Sequence, residues 1–305
     1  MRITILTTII TMIISGCNNH PETKTTSGTS ANSIPIEVQN KENNKDSIAG
    51  YAMVNGLKMY YEIHGSGFPL VLIHGGGSTI RSTFGQVLDS FAKDRQVVAV
   101  ELQAHGRTSD RNQNLSFEQD ADDVAALLKN LKIENADFLG FSNGGNTALQ
   151  IAIRHPALVR KLIIASAFYK RDGLYPQFWE SMMKATFENM PQALKDAYVA
   201  VAPDPGGLAI MCNKEIKRML NFQDWRKEDI RSIKSPVLII IGDADIVRPE
   251  HAVEMFHLLR NAHLAILPGG HGTYIGELTA PKEGSKLPDL TVAMVEEFLR
   301  ESMPG

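Results

Sequence analysis

Cysteine is nearly missing from this chain: Cys17 and Cys212 are the two in 305 residues. That excludes a disulfide framework, so the fold must rest on its buried core. A surplus of positive charge is missing too. Lys and Arg number 31 against 34 Asp and Glu, a net of −3. Nothing is spare to neutralise phosphates, which sets nucleic acid aside as the main partner. No Gly-x-x-x-x-Gly-Lys-Ser/Thr loop occurs, and no Gly-x-Gly-x-x-Gly opens a helix, so the phosphate- and dinucleotide-cradling signatures are absent. No group of His, Cys and carboxylates has metal-ligand spacing, so neither metal nor cofactor is expected. What remains is ordinary in bulk. With 43% hydrophobic residues, the chain can bury a full core as one large domain or two small ones.

The first 17 residues read apart from the rest. "MRITILTTIITMIISGC" has a basic start at Arg2, an apolar stretch broken by threonines, and small residues before Cys17. The run is too short and too polar for a membrane span and reads as a signal peptide. Its end resembles a bacterial lipoprotein processing site, which implies cleavage before Cys17 and lipidation of its thiol. Residues 18–48 are rich in Thr, Ser, Asn, Lys and Glu and poor in aromatics. Such a composition cannot bury enough to fold and is expected to be a flexible tether. Cys212, in "LAIMCNKEI", then has no intramolecular partner and reads as a buried helix residue.

From Tyr51 onward, strand and helix patterns alternate. "KMYYEIHG", "PLVLIHGGG", "QVVAVELQAHG", "ADFLGFS", "VRKLIIASA", "SPVLIIIGDAD" and "AHLAILPGGHG" are strand-like. Several are continuous apolar runs, as buried parallel strands require. "SFEQDADDVAALLKNLKI" has helical spacing, with Ser116 and Gln119 placed for a capping box. Helices also fit 143–155, 250–259 and 290–300. This alternation predicts an α/β fold: a mostly parallel sheet covered by helices on both faces. The rhythm breaks over about 169–233, where helical pieces carry Phe178, Trp179, Met182, Met183, Phe187 and Met190. These residues either pack on one another or line an apolar pocket.

Four strand ends carry chemistry-bearing residues, and ligands of open α/β sheets sit at such ends. Gly140-Phe141-Ser142-Asn143-Gly144 has a strand before it and a helix after it, the context of a nucleophile turn. Alone it fits an exposed serine in a glycine-rich connection equally well. His74-Gly75-Gly76-Gly77 offers backbone amides to an oxyanion, the donors being Gly76 and Asn143, with His74 structural. "LIIIGDADIVRPEH" presents two carboxylates; Asp245 is the chosen partner for a histidine and Asp243 the runner-up. "LPGGHGTYIG" sets His271 in a glycine-rich loop after the last strand, giving the order Ser, Asp, His.

Taken jointly, "LIHGGG", "ELQAHGRTSD", "GFSNGG", "GDADIVRPEH" and "LPGGHG" resemble the α/β-hydrolase superfamily, esterase/lipase-like branch, over about Tyr51–Met303. The resemblance implies an eight-stranded, mostly parallel sheet in a domain spanning 49–305, with a helical cap over about 169–233. It implies Ser142 as nucleophile, Asp245 as acid and His271 as base. Asn143 departs from the methionine or glutamine common there, and Gln103-Ala104 departs from the usual arginine or proline-glycine.

The expected activity is serine hydrolysis of carboxylic esters or lactones through an acyl-enzyme, on a hydrophobic or bulky substrate such as a macrolactone antibiotic. Phe141, Phe178, Trp179, Met182 and Met183 are the expected substrate contacts. Amide, peptide or carbon–carbon bond hydrolysis, acyl transfer and perhydrolysis remain open alternatives, as does a non-catalytic, membrane-tethered binding lipoprotein. A monomer or weak oligomer is expected, held at the bacterial envelope only by its N-terminal lipid.

Overall fold

The computed structural model describes residues 47–280 and 283–302. The expected signal stretch with Cys17, and the expected tether up to residue 46, lie outside the described residues.

Eight strands form one sheet: β1 (Ser47–Val54), β2 (Leu57–His64), β3 (Pro69–Ile73), β4 (Gln96–Val100), β5 (Ala136–Phe141), β6 (Val159–Ala165), β7 (Val237–Gly242) and β8 (Ala262–Leu267). Their order is β1-β2-β4-β3-β5-β6-β7-β8. Strand β2 pairs antiparallel with both β1 and β4, and every other pairing is parallel. The fold is the α/β-hydrolase fold. The edge strand β1 begins inside the stretch that composition assigns to the tether: Ser47 and Ile48 already pair with His64 and Ile63. Its sequence, SIAGYAMV, is mostly exposed and poor in β-branched residues. Pairing with β2 holds it in the sheet, which its own pattern does not announce.

Side-chain alternation along the central strands splits the core between two faces. Val71, Ile73, Phe138, Ile239 and Ile241 join one cluster with Phe117, Leu128, Leu149 and Met255 from helices. Leu70, Leu72, Leu139, Leu238 and Ile240 join the other with Phe84, Phe91, Val295 and Phe298. Each such side chain contributes roughly 1.5–3 kcal/mol by leaving water, so helices are held on both faces. Helix Phe117–Asn130 starts where its Ser116 cap accepts a hydrogen bond from the Gln119 amide at 3.1 Å. The return half of a capping box is not made, because the Gln119 amide side chain turns to Asp123.

Strand β3 lies between β4 and β5, so the chain leaves its carboxyl end to one side and comes back on the other. Crevices open at such reversals. Between β6 and β7 the chain makes helices Pro176–Met183, Gln192–Val199, Gly207–Leu220 and Lys227–Arg231. One isolated bridge, Leu174 to Val247, ties this insertion to the loop after β7.

Candidate active site

The turn after β5 forces Ser142 into a strained backbone, φ 53° and ψ −121°. Non-glycine residues rarely adopt such a φ without compensation. Here the surroundings fix it. The Ser142 amide donates to Ala165 O at 2.8 Å, and its carbonyl accepts from the amides of Gly145 and Asn146. The flanking glycines are needed for space. A Cβ on Gly140 would stand 2.1 Å from Gly144 O, and one on Gly144 would stand 2.1 Å from Ile73 O. The turn lifts the Ser142 hydroxyl off the sheet while helix Asn143–Arg154 runs away behind it, its positive dipole end toward the serine.

Ser142 Oγ lies 3.0 Å from His271 Nε2. On the ring's far side, His271 Nδ1 lies 2.7 Å from Asp245 Oδ1. Asp245 is 4% exposed and fully engaged. It accepts hydrogen bonds from the Ser166 hydroxyl and from the amides of Gly242 and Val247. Burial pushes its carboxyl up, but His271, Ser166 and Val247 outweigh burial and hold it below the usual carboxylate range. Asp243 faces elsewhere. It is exposed, and its Oδ1 accepts from the Gly269 amide at 2.8 Å, shaping the loop that carries His271.

Gly76 and Asn143 meet beside the serine. A Cβ on Gly76 would come within 2.3 Å of Asn143 Nδ2, and one on Gly75 within 3.5 Å of Ser142 Cβ. Only glycine lets the β3 loop lie this close to the nucleophile turn. Neither the backbone N–H of Gly76 nor that of Asn143 has a hydrogen-bond acceptor among the described residues. His74 is fully buried, with Nδ1 at 2.8 Å from Gly75 O and Nε2 accepting from the Leu102 amide at 3.1 Å. It ties the end of β3 to the end of β4. Burial and the neighbouring His105 push its pKa down to about 3, so the ring is neutral.

A cavity of about 400 Å³ opens over Ser142 and His271. Phe141, Phe178 and Met182 line it, together with Met190, Met211 and Met219. Trp179 and Met183 do not. The Trp179 indole donates to Arg171 O at 2.8 Å and its ring packs on Phe168 and Phe178. Met183 is 68% exposed. Both follow from helical geometry: consecutive residues point about 100° apart, so neighbours of a lining residue face away.

Two groups in this site escape a reading of the sequence. Ser166, at the end of β6, relays the Tyr274 hydroxyl (2.7 Å) to Asp245. Glu215, from helix Gly207–Leu220 of the insertion, reaches the cavity floor. Its Oε2 accepts from Asn143 Nδ2 at 2.9 Å. Its Oε1 takes Arg218 and lies 3.0 Å from His105 Nε2. Arg218 in turn bonds Asp120 at 2.6 Å. Burial raises the Glu215 carboxyl, yet Arg218 and His105 outweigh it and bring it down to about 2. Asp120 has fewer donors, and burial pushes it up to about 6. The signal for Glu215 was its spacing: Met211, Glu215 and Met219 share one helix face at intervals of four. Asn143, the residue that departs from the superfamily's habit, is its partner. Among the described residues, no cluster of His, Cys, Asp or Glu is arranged to hold a metal.

A family model described as alpha/beta hydrolase fold matches residues 69–210. Over 129 residues the chain is 35% identical to 2-hydroxymuconate semialdehyde hydrolase of Pseudomonas sp. (strain CF600), covering 41% of this chain and 45% of that protein. It therefore spans under half the length of that relative. It is 24% identical over 244 residues to pyrrolizixenacetamide deacetylase of Xenorhabdus hominickii, covering 73% and 91%. The enol-lactonase from Burkholderia xenovorans LB400 superposes with a TM-score of 0.65 at 23% identity, over 82% of this chain and 100% of that one. Sheet order, family model and superposition agree on the α/β-hydrolase fold.

Proposed function

We propose that the protein is a serine hydrolase that cleaves carboxylic esters or lactones through an acyl-enzyme. The observation that carries this reading is the unbroken chain from Ser142 Oγ to His271 Nε2 at 3.0 Å and from His271 Nδ1 to Asp245 at 2.7 Å. Asp245 accepts a hydrogen bond from Nδ1–H, which keeps the proton on Nδ1 and the Nε2 lone pair toward the serine, the tautomer that a general base needs. As Ser142 attacks, His271 takes its proton, and the ionised Asp245 stabilises the imidazolium. The amides of Gly76 and Asn143 receive the oxyanion, a contribution of roughly 3 kcal/mol per donor. His271 then protonates the leaving alcohol, and water attacks the acyl-enzyme with His271 again as base.

The cavity's methionines and Phe178 favour an apolar, bulky acyl group, a macrolactone among them. A structural neighbour is an enol-lactonase, while a sequence relative, pyrrolizixenacetamide deacetylase, keeps amide cleavage in view. Ester or lactone cleavage leads because it asks least of the leaving group. In this reading the insertion acts as a cap, and Cys17 anchors the chain by lipid to the bacterial envelope, with residues 18 to 46 as tether.

Ser142→Ala is expected to lower hydrolysis of 4-nitrophenyl butyrate by at least about 10³-fold with an unchanged melting temperature, and to abolish labelling by a fluorophosphonate. Turnover within tenfold of the parent protein would overturn the assignment. A folded parent protein that neither labels nor hydrolyses any ester would point instead to a binding lipoprotein.

A further inference from the structure

Charge is distributed unevenly around the cavity. Among the described residues lining it there is no lysine or arginine, but there are two carboxylates, Glu215 and Glu277. They flank the reacting pair from two sides. Glu215 meets the Gly76–Asn143 side, where its Oε2 stands 3.1 Å from the place a Gly76 Cβ would occupy. Glu277 meets the His271 side, its Cβ 2.6 Å from where a Gly272 Cβ would stand. The cation that balances Glu215, Arg218, sits behind it and does not line the cavity. Glu277 is bound by the amide and hydroxyl of Thr279, which are neutral donors. The rest of the wall is mainly apolar, with four methionines.

From this arrangement we propose that the cavity is charge-selective: it admits neutral and ammonium-bearing acyl substrates and refuses those whose acyl chain carries a carboxylate. The inference rests on the serine hydrolase reading of the same site. A carboxylate entering would lose its water in an apolar cavity and find no cation to pair with. It would also meet two like charges at short range, where repulsion discriminates strongly between partners. An ammonium group would lose the same water but gain a carboxylate. A neutral acyl chain meets neither effect.

Three 4-nitrophenyl esters of matched length test this: the hexanoate, the adipate monoester, whose terminal methyl is replaced by a carboxylate, and the 5-(trimethylammonio)pentanoate. The expected kcat/KM for the adipate is at least about 100-fold below the hexanoate, while the ammonium ester stays within about tenfold of it or exceeds it. Glu277→Gln and Glu215→Gln should each narrow the gap between adipate and hexanoate by about fivefold or more, and both narrowing it is a readout that a merely misfolded variant does not give. Equal rates on hexanoate and adipate, lost together in Ser142→Ala, would overturn charge selectivity and leave the serine assignment standing. Hexanoate turnover that survives Ser142→Ala would overturn the serine assignment instead. Should the hexanoate not turn over at all, the serine reading fails and calorimetric binding of the three esters decides. Adipate bound as tightly as hexanoate then overturns the selectivity as well.

Discussion

Along β3, β5 and β7 nearly every side chain is apolar and buried, whereas helix Pro176–Met183 of the insertion buries none of its residues completely. The sheet is a closed packing problem with one solution. Its turns are fixed by contacts at van der Waals limits, such as the carbonyls that exclude a Cβ from Gly140 and Gly144. The insertion is held by Met219, Phe222 and Ile230 in the core and by a buried ionic set, Glu215, Arg218 and Asp120. On the proposed reading, the sheet places the reacting atoms, while the insertion, with Glu277 from the loop after β8, chooses what they meet. Chemistry and specificity separate along that line, which is why one triad can serve many substrates on this fold.

The largest effect should come from breaking the sheet's side. Asp245 and Asp243 leave the same strand two residues apart, yet one is buried against His271 and the other caps a loop amide. Asp245→Asn turns an obligate acceptor into an amide that can present a donor to His271 Nδ1, and so favours the wrong tautomer. We expect a loss of activity on the order of 10³- to 10⁴-fold with little change in KM. Asp243→Asn keeps an oxygen for the Gly269 amide and should stay within about threefold of the parent protein. Rates of both variants on one nitrophenyl ester check this. A larger loss from Asp243→Asn would exchange the two roles.

The same division decides what the sequence discloses. Strand-like patterns, several of them apolar runs ending in glycine, mark seven strands and set Ser142, Asp245 and His271 at strand ends, because burial and turn sterics act on neighbours in the chain. Strand β1 escaped because its pairing comes from β2 rather than from its own pattern. Glu215 escaped because its partners His105 and Asn143 are distant in sequence and meet it only after the insertion docks. Among the five residues expected to touch substrate, Phe141, Phe178 and Met182 line the cavity and Trp179 and Met183 do not. Aromatic and methionine content marks the helix, but the facing side depends on tertiary packing.

An intermediate effect is expected on stability in acid, and it contrasts two buried histidines. His74 lies at the sheet's edge of the site, and His251 lies where the insertion starts, stacked on Tyr169 and accepting the Tyr169 amide. Burial brings His251 down to about 4, with Glu254, Lys170, Asp172 and Arg248 as the nearby charges. The folded state thus prefers the neutral ring, while the unfolded chain takes a proton near the ordinary value of 6.5. The stability from this site is complete above about pH 6.5 and is lost as pH falls from there toward 4. His251→Gln removes the titrating ring. Its stability deficit relative to the parent protein should shrink by on the order of 2 kcal/mol between pH 7 and pH 4.5. Denaturant melts at the two pH values measure it, and a deficit that does not change with pH would deny His251 this role. His74 carries the same sign, and the carboxylates held low, Glu215, Glu254 and Asp245, add to any slope that persists in His251→Gln.

The smallest effect sets two neighbours on one insertion helix against each other. Met182 lines the cavity and packs on the core, whereas Met183 points to solvent at 68% exposure. Met183→Ala removes a side chain with little to lose, so stability within about 0.5 kcal/mol of the parent protein is expected, with KM unchanged. Met182→Ala enlarges the cavity and takes away a flexible thioether contact. It should raise KM for a long acyl ester by a few-fold while leaving kcat for a short one nearly unchanged, since the uniform binding of the acyl chain is what is removed. A Met183→Ala effect on KM as large as that of Met182→Ala would mean that this helix turns its other face to the substrate. The division drawn between sheet and insertion would then have to be redrawn at that helix.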